Sequence, residues 1–160
     1  MTRSSVVGLG FLAAITPGLS LAATSGDPLA GKWRADLAAS RFTPDFPALR
    51  SQTMTCTIYS SGGIACTMWR VKADGQRSSG HFAARYDGHR YPLTGLPEMD
   101  GVTLRRDRHG TMAMFSKGET PVYAYRLVVS ADRRRLTVRS VDPQTHRALF
   151  SIVEYVRISP

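Results

Sequence analysis

From Gln52 to Arg157, apolar and polar residues alternate in short runs, the period of two that turns successive side chains to opposite faces of a strand. Such runs fall at roughly 52–59, 64–72, 77–86, 89–93, 102–106, 111–116, 121–129, 135–141 and 147–157. Turn-forming residues separate them: Ser-Gly-Gly, Ala-Asp-Gly, Asp-Gly, Thr-Gly-Leu-Pro, His-Gly, Lys-Gly, Ser-Ala-Asp and Asp-Pro-Gln. Only 35–41, ADLAASR, reads as helical. The pattern predicts an all-β fold, an antiparallel up-and-down meander that closes into a barrel of about 8–9 strands, with one short N-terminal helix. A strongly curved sheet is the alternative; closure is favoured because it removes the strand edges that an open meander would expose.

The block RYDGHRYPLTGLPEMDG sets turns too close together for a helix. Asp87-Gly88 is expected to turn one hairpin and Pro92 to end its second strand. Thr94 to Asp100 then forms a loop at the opposite barrel end. In a purely architectural reading this block is a turn framework. In a functional one, Tyr91, Thr94 and the loop form a lip over the barrel mouth.

Before the first strand-like run lies a different pattern. Arg3 precedes an uncharged, largely apolar run from Val6 to about Ala23 that ends in Ser-Leu-Ala-Ala, the layout of a secretory signal. Residues 1–22 are read as the signal peptide, cleaved after Ala22 or Ala23. Pro17 and Gly18 interrupt the run, which is shorter than the ~20 residues that cross a bilayer. The alternative is an uncleaved anchor. No later segment is apolar enough to span, so the mature chain is expected in the periplasm or secreted, with no transmembrane segment.

Export changes the meaning of the two cysteines, because oxidising compartments let disulfides persist. Cys56 and Cys66 flank Ser60-Ser61-Gly62-Gly63, and a three- or five-residue loop centred on Ser61 would set them directly opposite each other. A structural bridge is expected. A redox pair, a metal pair and two reduced core thiols are the alternatives; no C-x-x-C occurs, and neither Cys has a neighbouring His.

Removal of 22 of the 160 residues leaves about 138, enough for one domain with a core. Without Arg3, 20 Lys and Arg face 12 Asp and Glu, a formal +8. Only Lys32, Lys72 and Lys117 are lysines. Nucleic acid is not expected as a partner of an exported chain. Turn counting gives the charge a geometry, since turns two apart share a barrel end. Arg105, Arg106 and Arg108 then join Arg133, Arg134 and Arg135 in one basic rim, while Asp74, Glu98, Asp100, Glu119 and Asp142 collect at the other end. The plainer reading is a solvated, arginine-rich surface.

Catalytic chemistry is hard to find. His81, His89, His109 and His146 show no metal-ligand spacing, and no G-x-S-x-G frames a nucleophile. No enzyme, cofactor or metal site is expected. Met54, Met68, Met112 and Met114 read as adaptable core packing.

The motifs do resemble a family. Gly31-Lys32-Trp33, followed by meandering strands and a late Arg157, resembles the lipocalin G-x-W opening, in which the Trp plugs one barrel end against an Arg. GKWRADLAASRFTP, ARYDGHRYPLTGLPEMDGVTLRR and RLVVSADRRRLTV together resemble small exported bacterial proteins with a lipocalin-like domain. The Thr-Asp-Tyr motif of the lipocalins proper is absent. The resemblance implies a flexible lead-in at 23–30, a single barrel over 31–158 and no established activity.

On that basis the chain is expected to be a monomeric binding module. Its barrel would hold a small lipophilic or amphipathic ligand against Trp69, Phe82, Tyr91, Thr94, Tyr123, Tyr125, Arg126 and Glu154. Side-chain parity leaves one choice open. If Ala148, Phe150, Ile152, Glu154 and Val156 face inward, Glu154 needs a cation, with Arg126 and then Arg70 as candidates; if they face outward, Glu154 sits in water. The alternative function is an envelope protein whose basic rim meets an anionic component.

Overall fold

The computed structural model describes residues 26–44, 48–59 and 62–160. The signal segment expected at 1–22 lies outside the described residues. Ten strands follow one another: β1 (Gly31–Arg41), β2 (Leu49–Tyr59), β3 (Gly63–Lys72), β4 (Arg77–Ala84), β5 (Asp87–Thr94), β6 (Gly101–Asp107), β7 (Gly110–Lys117), β8 (Thr120–Val129), β9 (Arg135–Val141) and β10 (Ala148–Ser159). Each pairs antiparallel with its neighbours in sequence, and β1 pairs with β10 to close the barrel. The meander is as expected, with ten strands instead of 8–9.

The additional strand is β1, and it corrects the expected helix. ADLAASR has helical composition, yet Ala35 pairs with Tyr155, Asp36 with Glu154 and Arg41 with Ile152. Local preference appears only as a bulge between Asp36 and Arg41, where Asp36 Oδ1 accepts from Ala39 N (3.2 Å) and Asp36 O from Ser40 Oγ (2.7 Å). Closing the ring outweighs a propensity difference of a few tenths of a kcal/mol per residue. Among the described residues there is no helix.

Gln52–Ile58 of β2 lie opposite Arg70–Ile64 of β3. Cys56 therefore faces Cys66, and the two form a disulfide with Cα atoms 4.2 Å apart. The β4–β5 hairpin differs from expectation. β5 already begins at Asp87, so Arg85-Tyr86 make the link and Asp87-Gly88 form an irregularity within the strand, with Gly88 left-handed (φ 79°). Only His81↔Thr94 and Phe82↔Leu93 pair across this seam, and Tyr86 in the link reaches Asp27 and Arg106. Nor does Pro92 end the strand, which runs two residues further to Thr94.

Alternate residues fill the interior: Met54 and Cys56, Ile64 and Cys66, Val102 and Leu104, Ala113 and Phe115, then Leu136 and Tyr155. Met68 shares the inner face of β3. Met112 and Met114, by contrast, alternate with buried Ala113 and Phe115 and so lie on the outer face, which corrects the core role expected for them. On β8 the inner face is Tyr123, Tyr125, Leu127 and Val129, so Arg126 points out. On β10 the inner face is Val153 and Tyr155, so Glu154 points out too. An inward Glu154–Arg126 pair is thereby replaced by two outer-surface residues. Arg126 reaches Asp107 at 2.6 Å, and Glu154 Oε2 accepts from Thr137 Oγ1 at 2.9 Å.

Candidate functional site

The two barrel ends are built differently. One end gathers the chain's entry at Asp27–Ala30, the exit after Ser159 and the β2–β3, β4–β5, β6–β7 and β8–β9 links. Trp33 is fully buried there, its indole N–H donating to Leu29 O at 2.9 Å. The Arg157 guanidinium lies 4.1 Å from the Trp33 ring centroid and donates to the carbonyls of Arg133 (2.6 Å), Pro28 (2.7 Å) and Ala30. Trp33 and Arg157 together plug the barrel here. A second clasp lies beside it: Asp27 accepts from Tyr86 Oη (2.5 Å) and Arg106 Nη2 (2.9 Å), and Arg106 stacks on the Tyr86 ring at 3.8 Å. Residues 27–30, within the expected lead-in, are thus tied to the barrel. This end is closed.

The other end is open. A cavity of about 920 Å³ is lined by Arg70, Ser78, Tyr123, Tyr125, Ser140 and Ser151, with the β5–β6 loop as its lip. That loop, 95–100, is fixed from three sides. Gly95 is left-handed (φ 88°), and a Cβ there would sit 2.3 Å from Ser79 O; Leu96 fills the space over Gly80; Met99 is buried. Lys117 Nζ holds Pro97 O at 2.9 Å, and Asp100 takes Arg90 Nη2 at 2.5 Å and Gly118 N at 2.9 Å. The loop thereby places Glu98 3.1 Å from Arg70.

Of the residues expected to meet a ligand, Trp69, Tyr123 and Tyr125 line this cavity. Trp69 stands 57 % exposed at its margin, and Tyr123 stacks on Tyr125 with centroids 6.4 Å apart. Phe82 lies in the core, edge-on to Phe115. Tyr91 donates to Asp87 Oδ2 at 2.6 Å, and Thr94 Oγ1 leans on His81 O at 3.5 Å; neither lines the cavity. Of the expected lip, the loop residues Gly95 and Pro97–Met99 line the cavity.

Sequence reasoning missed Glu98 as a partner for Arg70, and it missed Gln52. The Gln52 side chain lies beside Arg70 on the paired strands and is 7 % exposed. Its amide nitrogen donates to Tyr155 Oη at 2.6 Å, and among the described residues its amide oxygen has no partner. An unpaired buried acceptor costs about 1–3 kcal/mol. A polar residue on an otherwise apolar strand face was the available signal.

The interior tyrosines make the barrel sensitive to alkali. Burial, followed by the charge of Tyr123, pushes the Tyr125 phenol from 10.0 up to about 12, and burial raises Tyr155 still further. A proton held more tightly in the folded state contributes stability below pH 10, which is lost as pH rises toward 12. Thermal unfolding midpoints should therefore fall steeply between pH 10 and pH 12. In Tyr125→Phe the fall should be shallower; an unchanged slope would show that this phenol is not the titrating group.

The basic rim was expected from turn counting, and Arg105, Arg106 and Arg108 do share the closed end with Arg133, Arg134 and Arg135. Arg106, however, is committed to Asp27 and Tyr86. Arg133 adopts a left-handed backbone (φ 58°) and lends its carbonyl to Arg157. Arg105, Arg108, Arg134 and Arg135 remain exposed. Among the described residues, no cluster of His, Cys, Asp and Glu could hold a metal ion. Comparison with known protein families, curated proteins and solved structures finds no match to the chain.

Proposed function

We propose that this chain is an exported, non-enzymatic binding module of lipocalin-like type that carries a small amphipathic ligand in its open end. The observation that supports this reading is the asymmetry of the barrel. One end is sealed by Trp33, Arg157 and Asp27, while the other retains a cavity of about 920 Å³ with stacked tyrosines on its wall. That volume lies within the ~300–1,000 Å³ of small-molecule sites. A barrel built only as a scaffold could have filled both ends with its own side chains.

Naphthalene-sulfonate or fluorescent fatty-acid probes should bind the native protein saturably and at one site. Ligand entry should also change the emission of Trp69 while leaving buried Trp33 unaffected, so Trp69→Phe should abolish the response. Failure of every probe to bind folded protein would end the carrier reading.

A second reading draws on the placement of both arginine groups at the closed end. There the barrel would rest on an anionic envelope component. Anionic lipid vesicles should then retain the protein at low salt and release it as salt screens exposed charges beyond ~8 Å. The Arg133→Ser, Arg134→Ser, Arg135→Ser variant should lose that retention with its fold intact. Equal retention of variant and parent would discard the rim.

A further inference from the structure

We propose that the open-end cavity selects an amphiphile with a carboxylate head, which docks on Arg70 by displacing Glu98 while its body lies against Tyr123 and Tyr125; this inference rests on the carrier reading. Four charged side chains line the cavity: Arg70, Lys72, Arg77 and Glu98. Three of these are cations, so the cavity wall itself is basic, while Asp74, Asp100, Glu119 and Asp142 stand in links at the same barrel end. Lys72 is engaged with Gln76 Oε1 at 2.5 Å, whereas Arg77 has no side-chain partner among the described residues. An ammonium head would meet Arg70 and Arg77 at close range. An uncharged head would leave the existing ion pair untouched. Of the three kinds of head, only an anion gains from the cations on the cavity wall.

Arg70 has capacity to spare. A guanidinium carries five N–H donors, and a carboxylate can take two of them side by side. Among the described residues the Arg70 side chain makes one hydrogen bond, from Nη2 to Glu98 Oε1 at 3.1 Å. Its side chain is 22 % exposed, so the head it binds is partly withdrawn from water, while that of Glu98 is 40 % exposed. An ion pair at such exposure stabilises by no more than about 1 kcal/mol. Its opening is therefore a small cost against a two-point contact at the same guanidinium.

Glu98 is held there by the packing of its own loop. Leu96 against Gly80, Gly95 against Ser79 O and buried Met99 fix the backbone on both sides of it. The loop presents an internal carboxylate to Arg70, and that carboxylate occupies the position where a ligand's head would bind. The stacked Tyr123–Tyr125 pair, at 22° between ring planes, offers a flat wall beside this position. The body that fits is a planar ring or a short acyl chain.

The test uses three probes with one body and different heads: 1-naphthylacetate, 2-(1-naphthyl)ethanol and 2-(1-naphthyl)ethylammonium. Calorimetry on the full exported protein should show the acid binding about tenfold or more tighter than the alcohol, and no binding of the ammonium; tenfold corresponds to one net charge-assisted hydrogen bond. Glu98→Gln should tighten the acid several-fold. Arg70→Gln should bring the acid down to the alcohol. Arg77→Gln, at an exposed position, should weaken the acid selectively and covers the case in which the Arg70 variant does not fold. The Arg133–Arg135 triple Ser variant should keep the full preference, which separates a local head site from the net charge of the chain.

Equal affinity for acid and alcohol, or a preference unmoved by Arg77→Gln and Glu98→Gln, would overturn the head-group inference while leaving the carrier reading in place. No binding of any of the three would instead count against the carrier reading itself.

Discussion

Trp33→Ala should destabilise the protein by about 3–5 kcal/mol, the range for removing a large aromatic from a packed core. Three losses combine. The indole is fully buried, so its removal leaves a cavity at the closed end. The hydrogen bond to Leu29 O disappears, leaving that carbonyl short of a donor. Arg157 loses the ring beneath it, a contact of about 1–2 kcal/mol where water is excluded. Against a total stability of about 5–15 kcal/mol for a domain, that is a loss of a fifth or more of it and up to the whole at the lower end. Trp33→Phe retains a ring and most of the volume, and should recover more than half of the loss. Urea unfolding followed by circular dichroism reads both. A shift below about 1 kcal/mol for Trp33→Ala would show that the plug contributes little.

Reduction of the Cys56–Cys66 bridge should cost about 2–3 kcal/mol, the chain-entropy value for a loop of this size. The bridge joins directly opposed residues of β2 and β3 in the interior, where both sulfurs are buried. The double variant Cys56→Ala, Cys66→Ala should therefore unfold at a lower urea concentration than the oxidised protein. Cys56→Val, Cys66→Ala should recover part of the difference, because it restores apolar volume without the crosslink. Reduced and oxidised protein with the same midpoint would mean that the ladder alone holds this hairpin.

Several features were legible because they depend on neighbours in the chain. Nine of the ten strands, β2 to β10, repeat a period of two, and most of their links carry the residues that tight turns require. The cysteine pairing followed from symmetry about Ser61. The sharing of one barrel end by the two arginine groups followed from counting turns. None of these needs knowledge of how distant residues meet.

The direction of each strand face was not legible, for a definite reason. Alternation specifies that neighbours point opposite ways, and the sign is carried only when one face is clearly polar. On β8 the outer face is Val122, Ala124 and Val128 with Arg126, while the inner face is Tyr123, Tyr125 and Leu127. Both faces are apolar enough to be core. β10 has the same ambiguity, which is how Glu154 came to be a candidate for the interior. The closure of the barrel decides it, because Tyr155 must share a face with Leu136 across β9 and with Ala35 across β1.

Composition and short-range pattern therefore settled the fold class, the disulfide and the turn order, all of which are local or symmetric about a single loop. Tertiary structure decided the rest. The ring closure between β1 and β10 made a strand of ADLAASR, and Tyr86 meets Asp27 across 59 positions. Gln52 meets Tyr155 across 103 positions, and Arg70 meets Glu98 across 28. Such encounters depend on the curvature and stagger of the whole sheet, and no property of either residue's own neighbourhood encodes them.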